Sequence, residues 1–99
     1  MNDIHTITKT LHAHTPQFAR DYAVRSFGVF GSMVHGDQTE VSDIDILVDF
    51  TKPISLFTFV RLEEELTKLL KRNVDLATPR SIKPAIRDDV LKEMLYVDT

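Results

Sequence analysis

The spacing of apolar residues switches repeatedly between a helical and an extended period, and each switch marks an element. Ile4, Ile7 and Leu11 recur at helical spacing behind Asn2 or Asp3 as a cap. This predicts a helix ending before Pro16, with Phe18, Ala19 and Tyr22 in a second short helical turn. The run VRSFGVF, Val24 to Phe30, is rich in β-branched and aromatic residues and leads straight into Gly31 and Ser32, which predicts a first strand. Residues 32–36 are too few for a full helix before Gly36, and the polar stretch 37–42 returns the chain to the sheet by turn and loop. Residues 43–50 (DIDILVDF) alternate: Ile44, Ile46, Val48 and Phe50 on one face of a second strand, Asp43, Asp45, Leu47 and Asp49 on the other.

Beyond Pro53, Ser55 is placed to cap a long helix carrying Leu56, Phe59, Val60, Leu62, Leu66, Leu69 and Leu70, an apolar stripe wider than about 100°. It should end near Lys71 and Arg72, where cations suit a helix C-terminus. Residues 73–77 (NVDLA) predict a third strand, with Val74 and Leu76 on one face and Asp75 on the other. Pro84 opens a last helix bearing Ile86, Val90, Leu91, Met94 and Leu95. The order helix, strand, strand, helix, strand, helix predicts an α+β fold, an α/β sandwich in which helices cover one face of a small mixed sheet. All 99 residues are expected to form one domain.

Composition narrows the class. The absence of cysteine excludes a disulfide framework and a thiolate metal site, which makes the cytoplasm the expected compartment. No apolar run approaches the roughly 18 residues of a membrane span, and residues 1–20 lack the apolar centre of a signal peptide, so no membrane association is expected. The net charge of -3 is mild but unevenly spread. Between Arg25 and Lys52 there is no Lys or Arg, while Asp37, Glu40, Asp43, Asp45 and Asp49 fall in that gap without a local counter-charge. The second half is nearly balanced, and no broad basic surface for direct nucleic-acid binding is visible.

The chemistry concentrates where the first strand ends and the second begins. Gly31 and Ser32 sit at a strand-to-helical turn, where unpaired backbone N–H groups can face an anion, glycine lets a phosphate approach closely, and the serine hydroxyl adds a donor. A Gly-Ser pair after a strand also occurs as an ordinary turn. Asp43 and Asp45, at i and i+2 on a strand, project from one face, and their repulsion is costly without a cation. Hard Mg²⁺ takes one or two carboxylates, substrate phosphates and waters, so the pair fits a Mg²⁺-nucleotide; two solvated aspartates are the bland alternative. Asp75 is a third potential carboxylate. Arg80, Lys83 and Arg87, spaced three and four apart, would line one face if helical and could meet a triphosphate, although Pro84 interrupts that turn. His5, His12 and His14 lack the spacing of a paired metal site.

Gly31-Ser32, ten residues, then Asp43-x-Asp45, read as GSMVHGDQTEVSDID, resembles the signature of minimal nucleotidyltransferases of the polymerase-beta-type superfamily. FGVFGS before it, ILVDF after it, and NVDLATP, KP and RDDVLKEMLYV downstream extend the likeness over nearly the whole chain. It is nearest to the MNT-type antitoxins that accompany HEPN-domain toxins. The resemblance implies transfer of AMP from ATP to a tyrosine hydroxyl of a cognate HEPN ribonuclease, silencing it within a hetero-oligomer of the two proteins. It implies Asp43, Asp45 and Asp75 as catalytic carboxylates and Mg²⁺ ligands, with Gly31 and Ser32 on the triphosphate. Many relatives carry Ala-Arg before the second glycine; here Val34 and His35 stand there, which removes a permanent cation. Two other functions fit the same residues: a non-catalytic antitoxin that neutralises by binding, and nucleotidyl transfer to a small molecule or an RNA end. Against the latter stand the short chain and the missing basic track.

Overall fold

A computed structural model describes residues 4–31 and 43–97. The proposed caps Asn2 and Asp3, and Ser32, Val34, His35 and Gly36, lie outside the described residues. The first helix, α1, spans Ile4–Tyr22 and buries Ile7, Leu11, Thr15 and Phe18. It passes through Pro16 instead of ending before it. A proline inside a helix costs about 3 kcal/mol, and burial on both sides of it outweighs that cost. Leu11 is fully enclosed, and Phe18 packs edge-on against Phe27 with ring centroids 5.6 Å apart. Pro16 itself faces solvent.

Ala23, at φ 58°, breaks the helix and turns the chain into β1, Val24–Phe30. Its carbonyl accepts the Thr51 N–H at 2.8 Å. This ties the start of β1 to the end of β2, Ile44–Phe50. The two strands are antiparallel, with Phe30 opposite Asp45 and Gly28 opposite Leu47. Helix α2, Leu56–Leu70, is capped by Ser55, whose Oγ accepts the Thr58 N–H, and ends on Lys71 in the left-handed region at φ 58°. It crosses over to β3, Val74–Ala77, which runs parallel to β2. A short 3-10 turn, Pro79–Ser81, leads to α3, Pro84–Glu93. The sheet order is β3-β2-β1-β4, where β4 is Leu95–Val97.

The fourth strand replaces the predicted continuation of the last helix through Met94 and Leu95. Helix α3 stops at Glu93 because Met94 is extended and buried, packing over Gly28 of the central strand. A Cβ on Gly28 would lie 2.6 Å from Met94 Cγ. Val97 then enters the main core opposite Phe27.

That core lies on one sheet face, where Phe27, Val29, Ile44, Ile46, Val48 and Leu76 meet the buried stripes of α1 and α2. The other face is partly covered as well, by Leu47, Ile82 and Met94 with Val90 and Leu91 of α3, so the helices do not keep to one side. The apolar stripe of α2 is narrower than expected. Leu62, Leu66 and Leu70 are buried, while Leu56 and Val60 stand exposed. No helix among the described residues is long and apolar enough to cross a membrane.

Candidate active site

The alternation of β2 that sends Ile44, Ile46 and Val48 into the core sends Asp45 to the opposite face. The parallel register places Asp75 of β3 directly beside it. Neighbouring strands run about 4.8 Å apart, so the two carboxylates share one side of the sheet at close quarters. Asp45 is half-buried; Asp75 and Asp43, which immediately precedes β2, are exposed. Burial pushes the Asp45 carboxyl above its ordinary value, and the negative charges of Asp75 and then Asp43 push it further. Among the described residues no cation pairs with any of the three, since the ion pairs present join Arg20 to Asp21 and Arg25 to Asp49. Asp49 therefore has a counter-charge that its sequence neighbourhood did not suggest. It lies toward the far end of β2, opposite Ser26.

Gly31 closes the site from the β1 side. Its φ is +74°, a conformation that favours glycine, and a Cβ there would run into the Asp45 carboxylate and sit 3.0 Å from its Cγ. The glycine thus admits the aspartate against the backbone, a contact between two residues to which the sequence assigned separate tasks. Ser32 lies outside the described residues.

No group of three or more histidine, aspartate or glutamate side chains among the described residues could hold a metal ion by itself. The donor set nonetheless fits Mg²⁺ in the presence of a nucleotide. Asp45 with Asp75 or Asp43 supplies hard oxygen ligands whose mutual repulsion a cation would relieve, and substrate phosphates and water complete such a shell. The basic residues do not form the helical row considered above. Arg80 falls in the 3-10 turn, Lys83 precedes α3, and Arg87 Nη2 donates to the Ile82 carbonyl at 3.3 Å. His14 Nδ1 is engaged with the Thr10 carbonyl at 2.9 Å within α1.

Two further residues were missed from sequence. Glu63 Oε2 accepts the Leu76 N–H at 3.2 Å, and Thr67 Oγ1 accepts the Val74 N–H at 3.3 Å, so side chains of α2 close the outer edge of β3 on either side of Asp75. The available signal was their i, i+4 spacing at the margin of the buried stripe.

A small mixed sheet with helices on both sides carries, at one end, a glycine in a left-handed turn beside two carboxylates of adjacent strands, an arrangement of hard oxygen donors next to an unobstructed backbone. Residues 14–97 match the family described as Nucleotidyltransferase domain. The protein adenylyltransferase MntA of Thermococcus cleftensis is 44% identical over 97 residues, covering 98% of this chain and 98% of that protein. Among solved structures, a minimal nucleotidyltransferase superposes with a TM-score of 0.77 at 36% identity, covering 94% of both chains. A toxin-antitoxin crystal structure with AMP-PNP superposes with a TM-score of 0.70 at 25% identity, over 88% of this chain and 72% of that one. The chain belongs to the nucleotidyltransferase domain family, as the motif over residues 31–45 led us to expect.

Proposed function

We propose that this protein is an antitoxin that transfers AMP from ATP, with Mg²⁺, to a tyrosine hydroxyl of a cognate HEPN-domain toxin, in the cytoplasm and as a complex of the two. The observation that carries the reading is the pairing of Asp45 with Asp75 on one sheet face, with no ion-pair partner among the described residues and with the backbone of Gly31 packed against the Asp45 carboxylate. The Thermococcus cleftensis relative, a protein adenylyltransferase, supports the activity, and the toxin-antitoxin structure with AMP-PNP supports both nucleotide and partner.

In this reading Asp45, with Asp43 and Asp75 beside it and with substrate phosphates and water completing the shell, would help hold Mg²⁺, which would supply neutralisation of phosphate charge and acidification of the attacking hydroxyl. Gly31 and Ser32 seat the triphosphate, the missing Cβ of Gly31 leaving room for Asp45 close to the phosphate-binding backbone. The tyrosine oxygen forms a bond to the α-phosphorus as the bond from that phosphorus to the pyrophosphate oxygen breaks. Asp75, the most open of the facing pair, takes the hydroxyl proton. The phenol oxygen is left carrying AMP, and pyrophosphate departs.

Intact mass of the co-expressed partner, after incubation with this protein, ATP and Mg²⁺, tests the proposal against an Asp43→Ala, Asp45→Ala control. Whole increments of AMP on the partner, absent with the control, are expected. A neutralised partner with no increment from either protein would refute transfer and leave binding as the function.

A further inference from the structure

β3 is four residues long, lies at the edge of the sheet and, among the described residues, pairs with a neighbouring strand on one side alone. Such a strand frays unless its outer N–H groups find partners, because an edge exposes them to water. Here both find one. The Val74 and Leu76 amides, immediately before and after Asp75, donate to Thr67 and Glu63, one helical turn apart on α2. Val74 and Leu76 are also buried, whereas Asp75 between them is exposed. The position of its carboxylate is inherited from the strand.

We propose that Glu63 and Thr67 are positioning residues: they clamp β3 in the register that keeps Asp75 beside Asp45 during nucleotidyl transfer. The proposal rests on the role given to Asp75 above. Glu63 acts as an acceptor for a backbone N–H, a task that an uncharged amide oxygen can also perform, if with a somewhat weaker bond. This separates it from a ligand, for which the negative charge would matter.

The test uses the full chain and its partner, with amide exchange read by NMR beside steady-state transfer. Glu63→Ala should speed exchange at Leu76 by on the order of tenfold. It should lower kcat by a comparable factor and raise the Mg²⁺ concentration needed for half-maximal rate, with KM for ATP changed less than about twofold. Glu63→Gln should keep exchange, kcat and Mg²⁺ dependence near wild type. Thr67→Val, a milder change should Glu63→Ala fail to fold, should act likewise through Val74, and Thr67→Ser should restore it. Unchanged exchange at Leu76 in Glu63→Ala, or an equal loss of kcat in the Ala and Gln variants, would overturn the proposal. Wild-type turnover in Asp75→Asn would instead refute the functional reading of Asp75; amide exchange, which needs no turnover, still decides whether the clamp exists.

Discussion

Replacing Asp45 with Asn removes one charge from the facing pair while keeping size and shape, so its effect on the free protein reports how much repulsion the fold tolerates there. Carboxylates about 5 Å apart repel by about 0.8 kcal/mol in water and about 3 kcal/mol at an effective dielectric constant near 20. Asp45 is half-buried and Asp75 is exposed, so solvent screening holds the relief toward the lower figure, at about 1 kcal/mol. For a domain of this size that is a rise in Tm of roughly 4–8 °C. The sign with pH follows from the raised carboxyl of Asp45. The folded state holds this proton to higher pH than the unfolded chain does. The stability it contributes is complete below the ordinary value of 3.8 and is lost as pH rises through the raised value. Asp45→Asn should therefore melt higher than wild type at about pH 7.5, and the gap should shrink as pH falls to about 3.5, where the aspartate is mostly neutral in both states. Thermal melts followed by circular dichroism, without divalent cations, measure the difference, and titrations of other groups cancel between the two proteins. Adding Mg²⁺ with a non-hydrolysable ATP analogue should raise the wild-type Tm and narrow the gap. A variant less stable than wild type at neutral pH, or a gap equal at both pH values, would refute the electrostatic argument.

Gly31→Ala places a Cβ at φ +74° against Asp45 and should cost about 1–2 kcal/mol in urea unfolding, together with most of the transfer activity. Gly28→Ala crowds Met94 and should cost about 1–3 kcal/mol. Combined with Met94→Ala, it should cost less than the sum of the single changes, because the two share one space; simple additivity in a double-mutant cycle would contradict that. Pro16→Ala restores a backbone N–H inside α1 and should raise stability by about 1–2 kcal/mol after allowance for a freer unfolded chain, an increase visible as a higher urea midpoint. Asp49→Asn breaks the exposed pair with Arg25 and should change stability by less than about 0.5 kcal/mol, with transfer unaffected.

What could be read from the sequence is what each segment specifies by itself. β1 follows from its β-branched and aromatic run, the cap of α2 from Ser55, and the sidedness of Asp45 from the alternation of β2, because these need no knowledge of a distant residue. The misreadings all involve a distant partner. Pro16 argues locally for a break, and the pocket around Phe27 outweighs it by burying Phe18. Met94 and Leu95 continue a helical period, yet Gly28 in the central strand opens the space that draws Met94 out of the helix and lets the next residues pair as β4. The apolar stripe of α2 overstates its contact because periodicity shows which residues could be buried and not how far the sheet extends beneath them. The site divides in the same way. Gly31, Ser32, Asp43 and Asp45 form a contiguous motif whose spacing alone suggests phosphate and metal chemistry. Asp75 is legible as a third potential carboxylate, and the family resemblance gives it a place in the site, but its own short segment does not say what it lies beside. Its place opposite Asp45 depends on where the crossover through α2 delivers β3 and on Glu63 and Thr67 holding that edge. A substitution on α2 that leaves every motif residue intact can therefore still pull the carboxylates out of register.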